Sequence, residues 1–261
     1  MVRCREVMDA VERIAPKSLA EEWDNPGLLV GSPAQEIHRI LLCLDVDDTA
    51  IAKAIDLGAD MILSHHPLIF RPLKNLRTDL PLGCRIRTLL KHDIAVYAAH
   101  TNLDAARGGV NDVLAERLGL SDLEPLVAKE DGEGMGRIGR LSMPMSIEDF
   151  ARRVKDALPV SHVRLVAAGE RMVQRVALCS GSGAEFIPKA AAMGADAFVT
   201  GDVRYHDAQH GAERGMHVID AGHFGTEFPV VAAWRERLEK ELGGSVELLV
   251  EDGAKDVFAV V

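Results

Sequence analysis

The chain is short of aromatic residues: Phe, Trp and Tyr fill 4% of its 261 positions, with two tryptophans and two tyrosines. Its core must therefore be built from Leu, Val, Ile, Ala and Met, and with 48% hydrophobic residues disorder is excluded. An excess of basic charge is also missing. Thirty Lys and Arg face forty Asp and Glu, a formal charge of −10. Affinity for nucleic acid comes mostly from neutralising phosphates with Lys and Arg, so a DNA- or RNA-binding role drops down the list. The four cysteines, Cys4, Cys43, Cys84 and Cys179, show no Cys-x-x-Cys pairing and read as small core residues in a reducing compartment. No apolar run approaches a membrane span, and the N-terminal stretch spaces Val7, Val11 and Ile14 helically among charges, unlike a signal peptide. These features place the chain in the cytoplasm.

What is present is a repeated α/β pattern. Short apolar runs alternate with helical stripes, as the βα units of a largely parallel sheet do. Residues 39–45, 61–64 and 94–98 are predicted strands. Between the first two, Asp48 or Thr49 caps a helix that turns Ile51, Ala54, Ile55 and Leu57 inward and stops at Gly58. Residues 39–64 lie over 175–200 without a gap and share nine identities: Arg39, Leu42, Cys43, Ile51, Lys53, Ala54, Gly58, Ala59 and Asp60 match Arg175, Leu178, Cys179, Ile187, Lys189, Ala190, Gly194, Ala195 and Asp196. Such self-similarity predicts two related α/β domains from an internal duplication, residues 1–125 and 126–261. The Gly-rich, charged stretch 122–146 reads as the interdomain connection, although 138–143 has strand character.

The residues with chemical character fall at equivalent sheet edges. His65 and His66 follow the strand MILS; His100 with Asp104, and His223 with Glu227, follow the third strand of each copy. Carboxyl edges of parallel strands are where open α/β sheets place their ligands. Asn102 and Gly225 suit loops better than regular helices, so neither pair is assigned to a helical face. Four imidazoles and two carboxylates exceed the needs of one tetrahedral ion. Five of them, His65, His66, Asp104, His223 and Glu227, can be shared between two divalent ions about 3.5 to 4 Å apart with positions left for water. Imidazole mixed with carboxylate suits zinc, iron, manganese or cobalt, and Glu227 is the expected bridge. His100 is assigned to orienting a ligand or to proton transfer, with direct ligation as the alternative. His38, His92, His162 and His217 are isolated and receive no role. In the second copy Gly201 and Asp202 replace the paired histidines, so there is one full ligand set per chain. Asp202, Tyr205 and His206 reach the equivalent edge and face substrate or only brace a loop, and Trp23, Asp24 and Asn25 line the same cleft or, for Trp23, pack.

Several motifs in order, EEWDNPGLLVG (21–31), LSHHPLIF (63–70), HTNLDAARGGVND (100–112), MGRIGRL (135–141), GSGAEFI (181–187), TGDVRYHD (200–207) and AGHFGTEFP (221–229), span nearly the whole chain. They resemble the Nif-three-like dinuclear metal-centre proteins, also known as type 2 homologs of GTP cyclohydrolase I. The resemblance implies two similar α/β domains with the metal site in the cleft between them, metal ligands at His65, His66, Asp104, His223 and Glu227, and a toroidal hexamer. It implies a metal-dependent hydrolase acting on a small molecule, with GTP ring opening and formate release as one reaction and His100 or His206 moving protons. Arg71, Lys74, Arg107 and Arg204 lie beside motif residues and are the local cations a triphosphate needs. Two alternatives stand beside it: a hydrolase of another nucleotide or phosphoester, and a metal-binding regulatory or interaction protein without turnover. The turn at 180–183 lacks the Lys-Ser/Thr ending of a phosphate loop and reads as a tight β-to-α connection.

Overall fold

The computed structural model describes residues 2–129 and 132–260. The chain forms two compact units, one of residues 1–106 with 231–254, the other of 107–230 with 255–261. It thus passes between units three times, where the sequence analysis expects a single boundary at 125/126.

The path begins with β1 (Val2–Arg3) and α1 (Cys4–Ile14), whose Val7, Ala10, Val11 and Ile14 are buried. There follow β2 (Gly27–Val30), β3 (Glu36–Ile37), β4 (Arg39–Cys43), α2 (Asp48–Asp56), β5 (Met61–Ser64), α3 (Pro81–Lys91), β6 (Ala95–Ala98) and the single turn α4 (Thr101–Ala105). In the other unit the chain makes α5 (Val110–Leu118), β7 (Ser121–Ala128), β8 (Gly134–Met145), α6 (Ile147–Ala157), β9 (Arg164–Val166), β10 (Val173–Leu178), α7 (Ile187–Ala192), β11 (Ala197–Thr200), α8 (Tyr205–Glu213), β12 (His217–Asp220) and the single turn α9 (His223–Glu227). Helix α10 (Pro229–Leu242) then leads back, and β13 (Glu247–Val250) rejoins the first unit.

The first sheet has the order β13-β4-β5-β6-β2. Its β13, β4, β5 and β6 run parallel, and β2 closes the edge antiparallel to β6. Leu41, Ile62 and Val96 pack against Ile51 and Ala54 of α2 and Leu89 of α3. Helix α2 starts where the Asp47 carboxylate accepts the Ala50 N–H at 2.7 Å, one residue before the expected cap, and ends at Gly58 in the left-handed conformation.

The second sheet has the order β7-β8-β10-β11-β12-β9. Only β10-β11 and β11-β12 are parallel pairs; β7, β8 and β9 are joined antiparallel. The expectation of largely parallel sheets therefore holds for the first unit, while the second is mixed. The difference is the stretch taken for a connection: most of 122–146 is the hairpin β7-β8, although Glu130 and Asp131 lie outside the described residues. Its glycines are there because backbone comes close, not because the chain is loose. A Cβ on Gly139 would lie 2.7 Å from the Ser121 carbonyl, and Gly136 combines φ +63° with a Cβ position 2.7 Å from the Leu178 carbonyl. One face of this sheet packs Val176, Leu178, Val199 and Ile219 against α5 and α6; the other packs Ala177, Phe198 and Val218 against Ile187 and Ala190 of α7.

The two aligned segments make the same hydrogen bonds. One Asp60 oxygen accepts the N–H groups of His38 and Arg39, as one Asp196 oxygen accepts those of Gln174 and Arg175. Ala95 donates to the Asp60 carbonyl and His217 to the Asp196 carbonyl. Gly58 and Gly194 both take positive φ. Of the cysteines, Cys4, Cys43 and Cys179 are buried as expected, whereas Cys84 is exposed on α3. Among the described residues no helix is long and apolar enough to cross a membrane.

Candidate metal centre

In the first unit, β5 ends at Ser64 and the chain turns through His65 and His66, with Ser64 Oγ donating to the His66 carbonyl at 2.8 Å. The turn is braced from the neighbouring strand, since His65 N–H reaches the Cys43 carbonyl and His66 N–H that of Leu44. His65 is fully buried and His66 half-buried. After β6 the chain enters α4 with His100 as its capping residue, and Asp104 comes one turn later with its N–H on the His100 carbonyl. His65 Nε2 and Asp104 Oδ1 lie 3.7 Å apart. One ring nitrogen each of His65, His66 and His100 can be chosen so that all three fall within 4.8 Å of one another, a spacing that suits a metal ion.

In the second unit β12 leads into α9, which carries His223 and Glu227 one turn apart. Their Nε2 and Oε2 atoms lie 3.1 Å apart. Both His-x-x-x-acid runs are thus single helical turns, where loops are expected; five residues are too few to show helical periodicity against Asn102 or Gly225. The Glu227 carboxylate is buried against Gly181, at φ +61°, where an added Cβ would sit 2.2 Å from Glu227 Oε1 and 3.2 Å from His223 Nε2. The turn at 180–183 is fastened by Gly181 N–H on Thr226 Oγ1 and Gly183 N–H on Thr200 Oγ1, both at 2.9 Å.

One feature is common to the four motif imidazoles. His65 Nδ1 is 3.0 Å from the Ala99 carbonyl, His66 Nδ1 2.8 Å from Asp45, His100 Nδ1 2.7 Å from Asp24 and His223 Nδ1 2.7 Å from Asp202. Each partner is an acceptor, so each Nδ1 carries the proton and Nε2 is the ring nitrogen with the lone pair. This is the arrangement by which proteins orient metal-binding histidines and raise their basicity. His217 shows the contrast: buried in β12, it accepts the Ala168 N–H at Nδ1 and donates to the Arg171 carbonyl through Nε2, a histidine satisfied within the fold.

The orienting carboxylates Asp24, Asp45 and Asp202 are what sequence reasoning missed in role. The sequence places Asp24 only near the site and leaves Asp202 either facing substrate or bracing a loop, and it gives Asp45 no role. Asp24 also accepts the N–H and hydroxyl of Thr101 at 3.0 and 2.5 Å. Burial alone would raise its pKa. The hydrogen bonds from His100 and Thr101, the charge of His100 and the Asn25 N–H outweigh this and hold it at about 2. His206 is exposed on the first turn of α8, edge-on to the exposed ring of Tyr205, and Arg204 pairs with Asp207. Trp23 is 61% exposed, so it is not part of the core, although its ring meets those of Phe70 and His100.

A family model described as Duf34/NIF3 (NGG1p interacting factor 3) matches residues 2–256. Among curated proteins the chain is similar to a GTP cyclohydrolase 1 type 2 homolog of Clostridium perfringens, 36% identical over the whole of both chains, and to one of Streptomyces coelicolor, 37% identical over 88% of this chain and 83% of that one. Among solved structures it is similar to a Bacillus cereus protein related to NIF3, with a TM-score of 0.94 and 28% identity over 100% and 99% of the two chains. It is also similar to reduced HcgD from Methanocaldococcus jannaschii, with a TM-score of 0.84 and 32% identity over 96% and 98%.

Proposed function

This chain belongs to the Duf34/NIF3 family, and from that premise we propose that it is a metal-dependent hydrolase that binds a pair of divalent ions through two ligand sets, one carried by each unit. The observation that carries the reading is the uniform pinning of Nδ1 on His65, His66, His100 and His223 by acceptors. The donors fit: neutral imidazole nitrogens with buried carboxylates suit zinc, iron or manganese. His65, His66 and Asp104 are the residues that would hold an ion in the first set, and His223 and Glu227 those that would do so in the second. Such ions supply Lewis acidity, polarising a substrate oxygen or nitrogen and acidifying water.

The remaining roles fall to the chain's own groups. Asp24 fixes the His100 ring so that its Nε2 faces the other imidazoles, and His100 moves a proton to or from the reacting group. Direct ligation by His100 is the alternative, since it is oriented exactly as its neighbours are. His206, exposed to solvent, is the second proton carrier considered. The curated relatives' name supports GTP as the first small-molecule substrate to test, by hydrolytic ring opening with release of formate; another nucleotide or a phosphoester is the rival. The family description names an interaction with another protein, which supports a regulatory or interaction role without turnover as the second reading. The matching hydrogen bonds at Asp60 and Asp196 support descent of the two units from one duplicated ancestor. We place the protein in the cytoplasm, as a homohexamer.

Metal analysis of protein purified without added metal is the first test, with two equivalents of zinc, iron or manganese per chain expected. Incubation of the metal-loaded protein with GTP and with a generic phosphoester then separates the readings. Formate release supports the cyclohydrolase reaction and phosphate release the rival; absence of either with any metal supports the interaction role. Retention of no metal would overturn the hydrolase reading.

A further inference from the structure

We propose that Trp23 and Phe70 form a stacking corner for one planar heteroaromatic ring, a nucleobase, presented to the imidazoles of His65, His66 and His100. The corner lies wholly within the first unit. Trp23 is 61% and Phe70 42% exposed, in a chain whose other tryptophan, Trp234, is buried. An aromatic side chain left in water forgoes a large hydrophobic gain, and here two do so side by side.

Their arrangement is fixed rather than incidental. The two rings meet edge to face, with centroids 5.8 Å apart and planes at 70°. Both also stand edge-on to the His100 imidazole, Trp23 at 6.2 Å and 73°, Phe70 at 6.1 Å and 87°. The loops that carry them are tied together: Asn25 Nδ2 donates to the Ile69 carbonyl at 2.6 Å, and Asp24 holds His100 and Thr101. The corner therefore loses little freedom when a ligand arrives. Rings at steep angles leave room for a flat body that stacks on one wall and meets the other edge-on, a shape that fits a single heteroaromatic ring system better than a branched aliphatic group. Stacking of this kind tolerates any base, because each has a π face. Arg71 and Lys74, exposed just beyond Phe70, supply positive charge for an attached phosphate.

Ring binding stands on the aromatic corner alone; that the bound ring is the substrate rests on the metal-dependent hydrolase reading. The test uses the full chain, both stripped of metal and metal-loaded, titrated with guanosine, ribose 5-phosphate and tripolyphosphate. Emission from exposed Trp23 is resolved from that of buried Trp234 at the red edge, and calorimetry follows the variants that lack the reporter. Guanosine is expected to quench the red-edge emission saturably, and the two ring-free probes not to. Trp23→Ala and Phe70→Ala should each weaken guanosine binding about tenfold or more, with Trp23→Phe recovering most of it. Because both side chains are exposed, the variants should melt as the parent does. Guanosine affinity unchanged in the alanine variants, equal quenching by ribose 5-phosphate, or no guanosine binding would overturn the proposal. Guanosine binding to a protein that retains no metal would sink the hydrolase reading and leave the corner standing; metal retention without guanosine binding would do the reverse.

Discussion

At the scale of the residue, the first feature to explain is a carboxylate held at about pKa 2 although its side chain is fully buried. Asp24 is depressed below its unfolded value near 3.8, so its contribution to stability is fully present above about pH 4 and is lost as pH falls toward 2. In chelator-treated protein, Asp24→Asn should cost about 2 kcal/mol at neutral pH and less as the solution is acidified, converging on the parent near pH 2. Urea unfolding at a series of pH values checks it, and a penalty independent of pH would refute it. Gly181 makes a second residue-scale prediction. Alanine there meets Glu227 Oε1 and must adopt positive φ, so Gly181→Ala should fold yet bind metal at least about tenfold more weakly by calorimetry. Thiols give a third. Burial pushes the Cys4 and Cys43 thiols up, while Cys84 is exposed, so a disulfide reagent should modify Cys84 rapidly in the native protein and the buried three only on unfolding. Rapid native reaction at Cys43 would contradict the burial.

At the scale of the element, what was readable in the sequence follows from periodicity. Residues 39–64 show a strand-length apolar run, a 3.6-residue stripe and a left-handed glycine, and β4, α2 and β5 follow, with β4 ending two residues early and the helix cap one residue before the expected position. The hairpin β7-β8 was unreadable because its glycines and charges mimic a linker; only the neighbouring strand reveals that the glycines mark close backbone. Gly139→Val should therefore cost about 1 to 3 kcal/mol through overpacking against Ser121 and Leu123, a large effect for a site with linker composition. An unchanged urea midpoint would show that the hairpin yields there. The helical turns α4 and α9 were missed because each is five residues long. The histidines themselves are legible as His-His and His-x-x-x-acid runs, whereas the orienting role of Asp24, Asp45 and Asp202 is not, because a single carboxylate far away in sequence carries no spacing to read.

At the scale of the whole molecule, chain order and structural membership part company. The strand β13 pairs with β4, matching Leu248 to Ile40 and Val250 to Leu42, and buried Glu251 just beyond it meets Lys53 at 3.3 Å. Helix α5, which lies before residue 125, packs Leu114 and Leu118 into the core of the second unit. A cut at residue 125 therefore strips each side of something it needs. Separate fragments 1–125 and 126–261 should lack cooperative unfolding transitions, the first exposing the bare edge of β4 and aggregating. A sharp thermal transition in either fragment alone would show that the missing element is dispensable.

Because β13 follows every other strand of the described residues and is the neighbour of β4, the first sheet stays a strand short until residues 247–250 have emerged from the ribosome. During synthesis the paired histidines at 65 and 66 thus precede by some 180 residues the strand that completes their sheet, and the second unit's strands are made in the interval.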